Sequence, residues 1–337
     1  MSDLNYLSVL TLPSGRRLGA EKTQSRLHLS LEGQPLVDLH LSGEPEWQVQ
    51  VAQSFGHPED LTIWSTCYWL FAHDRECQHL DWRLDEAPTE ALLSGLLIPT
   101  EGVGEYRCER TLFWQLPQPW LGPLITGNYP QQRVISGGKG HPLRPVKPRG
   151  EVYRRFDTRL GAWVSLRTVD IEQDLERFNR WQNSPRVASF WAEEGSLEKH
   201  REYLSTLAAD PHTLMLIGCF DDQPFAYFEA YWVKEDRLAP FYDAGDYDRG
   251  IHMLVGEETH RGPHKVASWL SALVHYLFLD DSRTQRVVAE PRADNARMIG
   301  HLHNQCFHCE KEFDFPHKRA ALMVLGRERF FDRCPLA

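Results

Sequence analysis

The sequence predicts an α+β (α/β) chain in which a mixed, twisted sheet flanked by helices follows a smaller β-rich N-terminal domain. Three observations carry this. After residue 150, segments alternating in-and-out at period two trade places with segments whose apolar residues recur at about every 3.6 positions. Before residue 130, strand-like alternation dominates. Between the two lies Pro130 to Gly150, dense in proline and glycine and read as an extended linker. The expected division is therefore residues 1–130 as the N-terminal domain, 131–150 as the linker and 151–337 as the second domain, in keeping with a length of 337 residues.

The elements follow in order. Leu36–Leu41 and Trp47–Val51 alternate as strands, Glu90–Leu96 suits a short helix, and Arg110 to Leu116 reads as a buried strand ended by Pro117. After the linker, Trp163–Val169 is a strand. Asp170 then caps a polar helix from Ile171 to Gln182, with Leu175 and Phe178 on one face. Ser196 caps a second helix, Leu197–Ala208. Thr213–Phe220 and Phe225–Val233 form a hairpin across Asp221-Asp222-Gln223-Pro224. The remaining order is strand Gly250–Val255, helix Lys265–Leu279, strand Arg286–Glu290, helix Asp294–His303 and strand Ala320–Gly326. No sequence repeat is visible, although the first region could be a diverged structural copy of the second.

Composition excludes several classes. A net charge of −10 argues against a nucleic-acid binder, which needs a basic face. No apolar run is long enough to span a bilayer, and the N-terminus lacks the basic-then-apolar order of a signal peptide. Seven scattered cysteines, the last at Cys334, read as reduced cytosolic thiols, so a cytoplasmic protein is expected.

The chemistry concentrates between Asp246 and Phe331. Arg261-Gly262 precedes a helix, so free backbone amides and the charges of Arg261 and Lys265 could cradle a phosphate. The plain alternative is an ordinary strand-to-helix turn. His252 lies one strand length upstream and shares a strand face with Leu254. It is either a satisfied core histidine or a base that titrates near neutrality. Asp294 either caps the following helix or faces the same cleft and orients His252. A phosphate cradle beside a base points to a transferase with a phosphate-bearing acyl donor. His317, Lys318 and Arg319 end a charged loop that is either solvated or holds a substrate carboxylate. Trp191 and Tyr231 are either core or the wall of a substrate stem. Cys306-Phe-His-Cys309 has half of a zinc spacing, but no second cysteine pair accompanies it, and no metal is expected.

These features resemble the GNAT acyl-CoA-dependent N-acyltransferases, and more narrowly their siderophore-biosynthesis branch. The similar segments are Gly150–Asp157, Arg180–Val187, Leu216–Asp222, Tyr231–Arg237, Thr284–Asn295 and Glu312–Arg319, with Phe113–Pro117 fitting more weakly. The resemblance covers about residues 150 to 331. It implies a GNAT domain, acetyl-CoA or another acyl-CoA as co-substrate, and N6-hydroxylysine or N5-hydroxyornithine as acceptor, with a hydroxamate as product. It implies His252 and Asp294 as the catalytic pair. Cofactor contacts would come from Leu254, Val255, Arg261, Gly262, His264, Lys265, Val266, Ala267 and Asn295, and substrate contacts from Trp191, Tyr231, His317, Lys318 and Arg319. Siderophore-pathway enzymes are the implied partners, with neither nucleic acid nor membrane. Two positions depart from the pattern: His264 stands where the cradle has a second glycine, and Leu302 where a tyrosine acid is usual. A non-catalytic acyl-CoA-binding or assembly protein of the same pathway is the alternative.

Overall fold

The computed structural model describes residues 6–117, 120, 121, 132–333 and 336, which divide into two compact units. Met1 to Asn5, the first linker residues Pro130 and Gln131, and Cys334 lie outside the described residues. One unit holds residues 6–117, with 156–161 and 336. The other holds 120, 121, 132–155 and 162–333.

The first unit is built from β1 (Tyr6–Thr11), β2 (Arg17–Lys22), β3 (Arg26–Leu31), β4 (Gln34–Ser42), β5 (Trp47–Ser54), α1 (Glu59–His73), β6 (His79–Arg83), α2 (Glu90–Gly95), β7 (Ile98–Pro99), β8 (Glu105–Glu109) and α3 (Arg110–Phe113). Its described strands form one sheet in the order β1-β2-β3-β4-β5-β6-β8-β7. The strands expected at Leu36–Leu41 and Trp47–Val51 fall within β4 and β5. The expected strand at Arg110 to Leu116 is instead the helical turn α3. A short apolar run does not distinguish strand from buried helix. Here the buried Arg110 guanidinium settles it by donating to the Asp74 and Cys77 carbonyls at 3.0 and 3.3 Å.

The second unit continues with β9 (Arg133–Ser136), β10 (Lys139–Pro142), β11 (Glu151–Asp157), β12 (Ala162–Thr168), α4 (Ile171–Gln182), α5 (Pro185–Trp191), α6 (Leu197–Ala209), β13 (Thr213–Phe220), β14 (Gln223–Trp232), β15 (Arg249–Val255), α7 (Pro263–Asp280), β16 (Arg286–Ala289), α8 (Ala296–Asn304), β17 (His308–Asp314), β18 (Arg319–Gly326) and α9 (Arg327–Arg333). Asp170 and Ser196 cap α4 and α6, as the sequence expects. The sheet runs β11-β12-β13-β14-β15-β16-β18-β17. Leu175 and Phe178 of α4 and Leu204 of α6 pack with Met215, Ile217, Tyr227 and Leu254 on one face. On the other, Phe228 stacks on Trp269 of the largely buried α7, their rings 5.2 Å apart.

The two sheets share one topology. In each, the fifth strand pairs antiparallel with the fourth and parallel with the sixth across a helical crossover, and the last two strands are swapped in order. The first unit is thus a structural copy that the sequence alone did not display. The copies differ at the parallel seam. β5 pairs with β6 over Trp47–Gln50, whereas β15 pairs with β16 only at Arg249 and Gly250.

The expected linker is not free chain. β9 and β10 form a hairpin, and Lys139, Arg144 and Lys147 in and after it are each multiply held within the second unit. Lys139 donates to the Glu235 and Asp236 carbonyls, both at 2.7 Å. Arg144 forks onto the Glu235 carboxylate, and Lys147 reaches the Leu207, Asp210 and Thr213 carbonyls. Charge-assisted bonds of this kind fix a segment that its proline and glycine content alone would leave loose. Among the described residues no helix is long and apolar enough to cross a membrane.

Candidate active site

The site grows from the seam where β15 leaves β16. Beyond Gly250 the two strands part, and the β15 backbone from Ile251 to Val255 borders a cavity of about 1330 Å³. Gly250 permits the divergence to be filled correctly. A Cβ there would lie 2.0 Å from the Tyr231 ring, which crosses over it to donate its hydroxyl to Glu290 Oε2 at 2.7 Å.

His252 lies at the centre, opposite Glu229 in the antiparallel register. Its Nδ1 is 2.8 Å from Glu229 Oε2 and its Nε2 is 2.7 Å from Glu290 Oε1. Both carboxylates are buried, while the imidazole keeps 24% of its side-chain surface open, so the ring is reachable from the cavity. Each carboxylate has further donors. The Tyr203 and Tyr227 hydroxyls reach Glu229 Oε1 at 2.6 and 2.9 Å, and Lys318 Nζ lies 3.9 Å from Glu290 Oε1. Burial alone would push the imidazole down, but the Glu290 charge and the hydrogen bonds to Glu229 and Glu290 outweigh it and raise its pKa to about 10. Glu290 answers in the other sense: burial opposes its ionisation, yet the His252 charge and hydrogen bond hold it at about 2. Glu229 is likewise held below its ordinary value by His252 against burial. Both ring nitrogens lie within hydrogen-bond distance of a carboxylate, an arrangement that favours the protonated ring. The titration near neutrality expected of this ring gives way to one held higher by its two carboxylate neighbours.

Asp294 also lines the cavity, but it does not orient His252. Both ring nitrogens already have partners, and the Asp294 carboxylate pairs with Arg292 at 2.5 and 3.0 Å. Nor does Asp294 cap the helix. Asn295 does, its Oδ1 accepting from Met298 N at 3.1 Å, and Asn295 lines the cavity too.

At the cavity's other end is the turn before α7. Gly262 has φ +131°, a conformation L side chains rarely adopt, and an added Cβ would press on the His264 ring at 2.9 Å. Leu254, Val255, Arg261, Gly262 and Val266 all border the cavity, whereas His264, Lys265 and Ala267 do not. The Lys265 ammonium turns instead to the Thr259 carbonyl at 2.9 Å. The charge expected from it comes from two residues the sequence reading missed, Arg186 on α5 and Arg297 on α8. Burial, and then the repulsion of Arg261 and Arg297 with Glu258 opposing, lowers the Arg186 pKa. Two guanidiniums, Arg261 and Arg297, lie close enough to Arg186 to repel it, and the three beside a helix N-terminus could hold an anion. Trp191, Tyr231, His317, Lys318 and Arg319 also line the cavity, joined by Asp236 and Arg237. Lys318 donates to the Glu290 carbonyl at 2.7 Å, and Arg319, 62% exposed, is paired with Glu312.

Among the described residues Cys306 and Cys309 meet no third metal-ligand group. Among the described residues the only such grouping is His141, His212 and Glu235, where the Arg144 guanidinium already pairs with the carboxylate.

A parted parallel seam, an imidazole clamped within it and an arginine-lined helix turn at one end fit an acyltransferase that holds a phosphate-bearing thioester. The comparisons with known proteins agree. Residues 170–315 match the acetyltransferase (GNAT) domain model. The N(6)-hydroxylysine O-acetyltransferase of Escherichia coli is 45% identical over 66% of this chain and 70% of its own. The N(5)-hydroxyornithine:cis-anhydromevalonyl coenzyme A-N(5)-transacylase of Beauveria bassiana is 50% identical over 58% of this chain and 44% of its own. An uncharacterized protein from Bacillus halodurans has a crystal structure that superposes with a TM-score of 0.53 at 29% identity, covering 56% of this chain and 95% of that one. The chain belongs to the GNAT acetyltransferase family. It is an acyltransferase, and acyl-CoA is its co-substrate. The parted strand, the Gly262 turn and its three arginines fit that donor.

Proposed function

We propose that this chain acylates the side-chain hydroxylamine of N6-hydroxylysine or N5-hydroxyornithine, giving a hydroxamate that chelates iron(III) within a siderophore. The reading is supported by the relatives that act on these acceptors and carried by one observation: a buried carboxylate–imidazole–carboxylate group stands where β15 parts from β16. The pyrophosphate would rest on the amides of Gly262 and the first turn of α7, with the side chains of Arg186, Arg261 and Arg297 beside it. The thioester would extend along Leu254 and Val255 toward His252, where a β15 amide polarises its carbonyl. The acceptor stem would lie against Trp191 and Tyr231, its carboxylate near His317, Lys318 and Arg319, and its amino group near Asp294. His252 handles the proton, and joining two bound reactants supplies much of the rate. The free cysteines among the described residues support a reducing, cytoplasmic setting beside other siderophore-pathway enzymes.

The test is direct. Purified full-length protein is mixed with acetyl-CoA and each hydroxylamine, and both free thiol and the iron(III)–hydroxamate colour are measured. Stoichiometric appearance of the two is expected. Absence of thiol release with every hydroxylamine acceptor would overturn the reading in favour of a non-catalytic acyl-CoA-binding protein, which Leu302 and His264 at their departing positions would then explain.

A further inference from the structure

We propose that Glu229 and Glu290 are positioning residues that keep His252 an imidazolium, so that the site acylates only a nitrogen that arrives uncharged: a hydroxylamine reacts and the corresponding alkylammonium does not. The proposal rests on the acceptor class given above. Its geometry is the two-sided clamp, 2.8 Å to Nδ1 and 2.7 Å to Nε2, with neither nitrogen left as an acceptor.

The surrounding groups reinforce this state. From α6, Tyr203 donates to Glu229, and Tyr227 of β14 does the same. Tyr231 of β14 donates to Glu290, and Lys318, ahead of β18, lies against the same carboxylate. Asp236, in the connection after β14, is a further carboxyl lining the cavity, as are Glu193 before α6 and Asp294, and burial raises the Asp236 pKa. The three tyrosine hydroxyls at the clamp are spent as donors to its carboxylates, and both clamp carboxylates face the His252 ring, so the clamp itself offers no free acceptor for a second proton.

The chemistry then balances for one acceptor class. As the nitrogen–carbon bond forms and the carbon–sulfur bond breaks, the imidazolium proton passes to the departing thiolate. The proton shed by nitrogen returns to the ring, and both Glu229 and Glu290 keep their charge. An alkylammonium carries one proton more. The ring is full, and carboxylates held below their ordinary values are poor bases. A lysine side chain, with its pKa of about 10.4, is uncharged at pH 7 only about one time in 10³ to 10⁴. A hydroxylamine is far less basic and is mostly neutral there.

Two measurements on the full chain test this. Ring nitrogen NMR, with the His252 signal identified by its loss in His252→Gln, should show an imidazolium through pH 8.5. In Glu229→Gln and in Glu290→Gln the midpoint should fall by roughly one to three pH units, as loss of one neighbouring charge requires. Either variant suffices if the other does not fold. Acylation of N6-hydroxylysine at pH 7 should exceed that of lysine by about 10³-fold in kcat/KM, with lysine gaining about tenfold per pH unit up to pH 9. A His252 midpoint near 6.5 together with good hydroxylamine turnover would overturn the clamp alone. Equal use of lysine and hydroxylysine would overturn the filter. An intact imidazolium without hydroxylamine turnover would overturn the acceptor class and the filter with it.

Discussion

Gly250→Ala probes the packing that builds the site. The new Cβ would sit 2.0 and 2.1 Å from two Tyr231 ring carbons and 2.5 Å from its hydroxyl. No heavy-atom pair tolerates that, so the ring must move by more than an ångström in a buried, close-packed environment. Overpacking of this kind costs about 1–3 kcal/mol. The displaced hydroxyl also loses its bond to the Glu290 carboxylate, worth about 1.5–3 kcal/mol for a charged acceptor. Alanine regains about 0.5–1 kcal/mol over glycine in a strand. The net destabilisation is about 2–5 kcal/mol, and a Tm drop of roughly 5–15 °C is expected in a calorimetric scan. Removing the ring should remove most of the penalty, so Gly250→Ala placed in a Tyr231→Ala background should show a coupling above about 1 kcal/mol. A Tm change below about 1 °C, or costs that simply add, would refute the claim that this glycine exists to seat Tyr231.

Three further outcomes are expected. His252→Ala should lower turnover of the hydroxylated acceptor by roughly 10²-fold or more in a thiol-release assay; near-normal turnover would remove His252 from the chemistry. The clamp should also make stability pH-dependent. His252 is raised from its ordinary 6.5 to about 10, so its contribution is complete below pH 6.5 and is lost as pH rises through 10. Glu290 is lowered from 4.5 to about 2, so its contribution is complete above pH 4.5 and is lost as pH falls toward 2. Denaturant titrations of the protein and of His252→Gln should therefore converge toward pH 10. Arg186→Ala and Arg297→Ala should each weaken binding of CoA by roughly 5- to 30-fold, less at high salt, because a charge-assisted contact to phosphate is lost; salt-independent calorimetric affinities would argue for a purely structural role.

Much of the second unit was legible in local sequence because its signals are local. Asp170 and Ser196 announce their helices, the Asp221–Pro224 turn announces its hairpin, and the positive-φ Gly262 marks the start of α7. The same logic failed at Arg110, where an apolar run fits either period and a buried guanidinium decides. It failed again at residues 132–150, where long-range charge pairing pins a segment whose composition reads as flexible. Glu229 escaped notice because a carboxylate in an apolar strand announces nothing until the register sets it opposite His252. Glu290 was read as a strand residue, and the nearby Asp294 took the role that the geometry assigns to Glu290.

From its order of residues alone, this chain determined the alternation of strand and helix, the Arg261-Gly262 turn ahead of α7 and the presence of one histidine on the strand before it. Only the tertiary structure decided that β15 parts from β16 after Gly250 while β5 and β6 stay paired, and that two buried carboxylates grip both nitrogens of His252. The physical reason is that proton affinity and strand divergence belong to neighbours brought together across tens of residues. Periodicity and turn chemistry report only on what lies a few positions away.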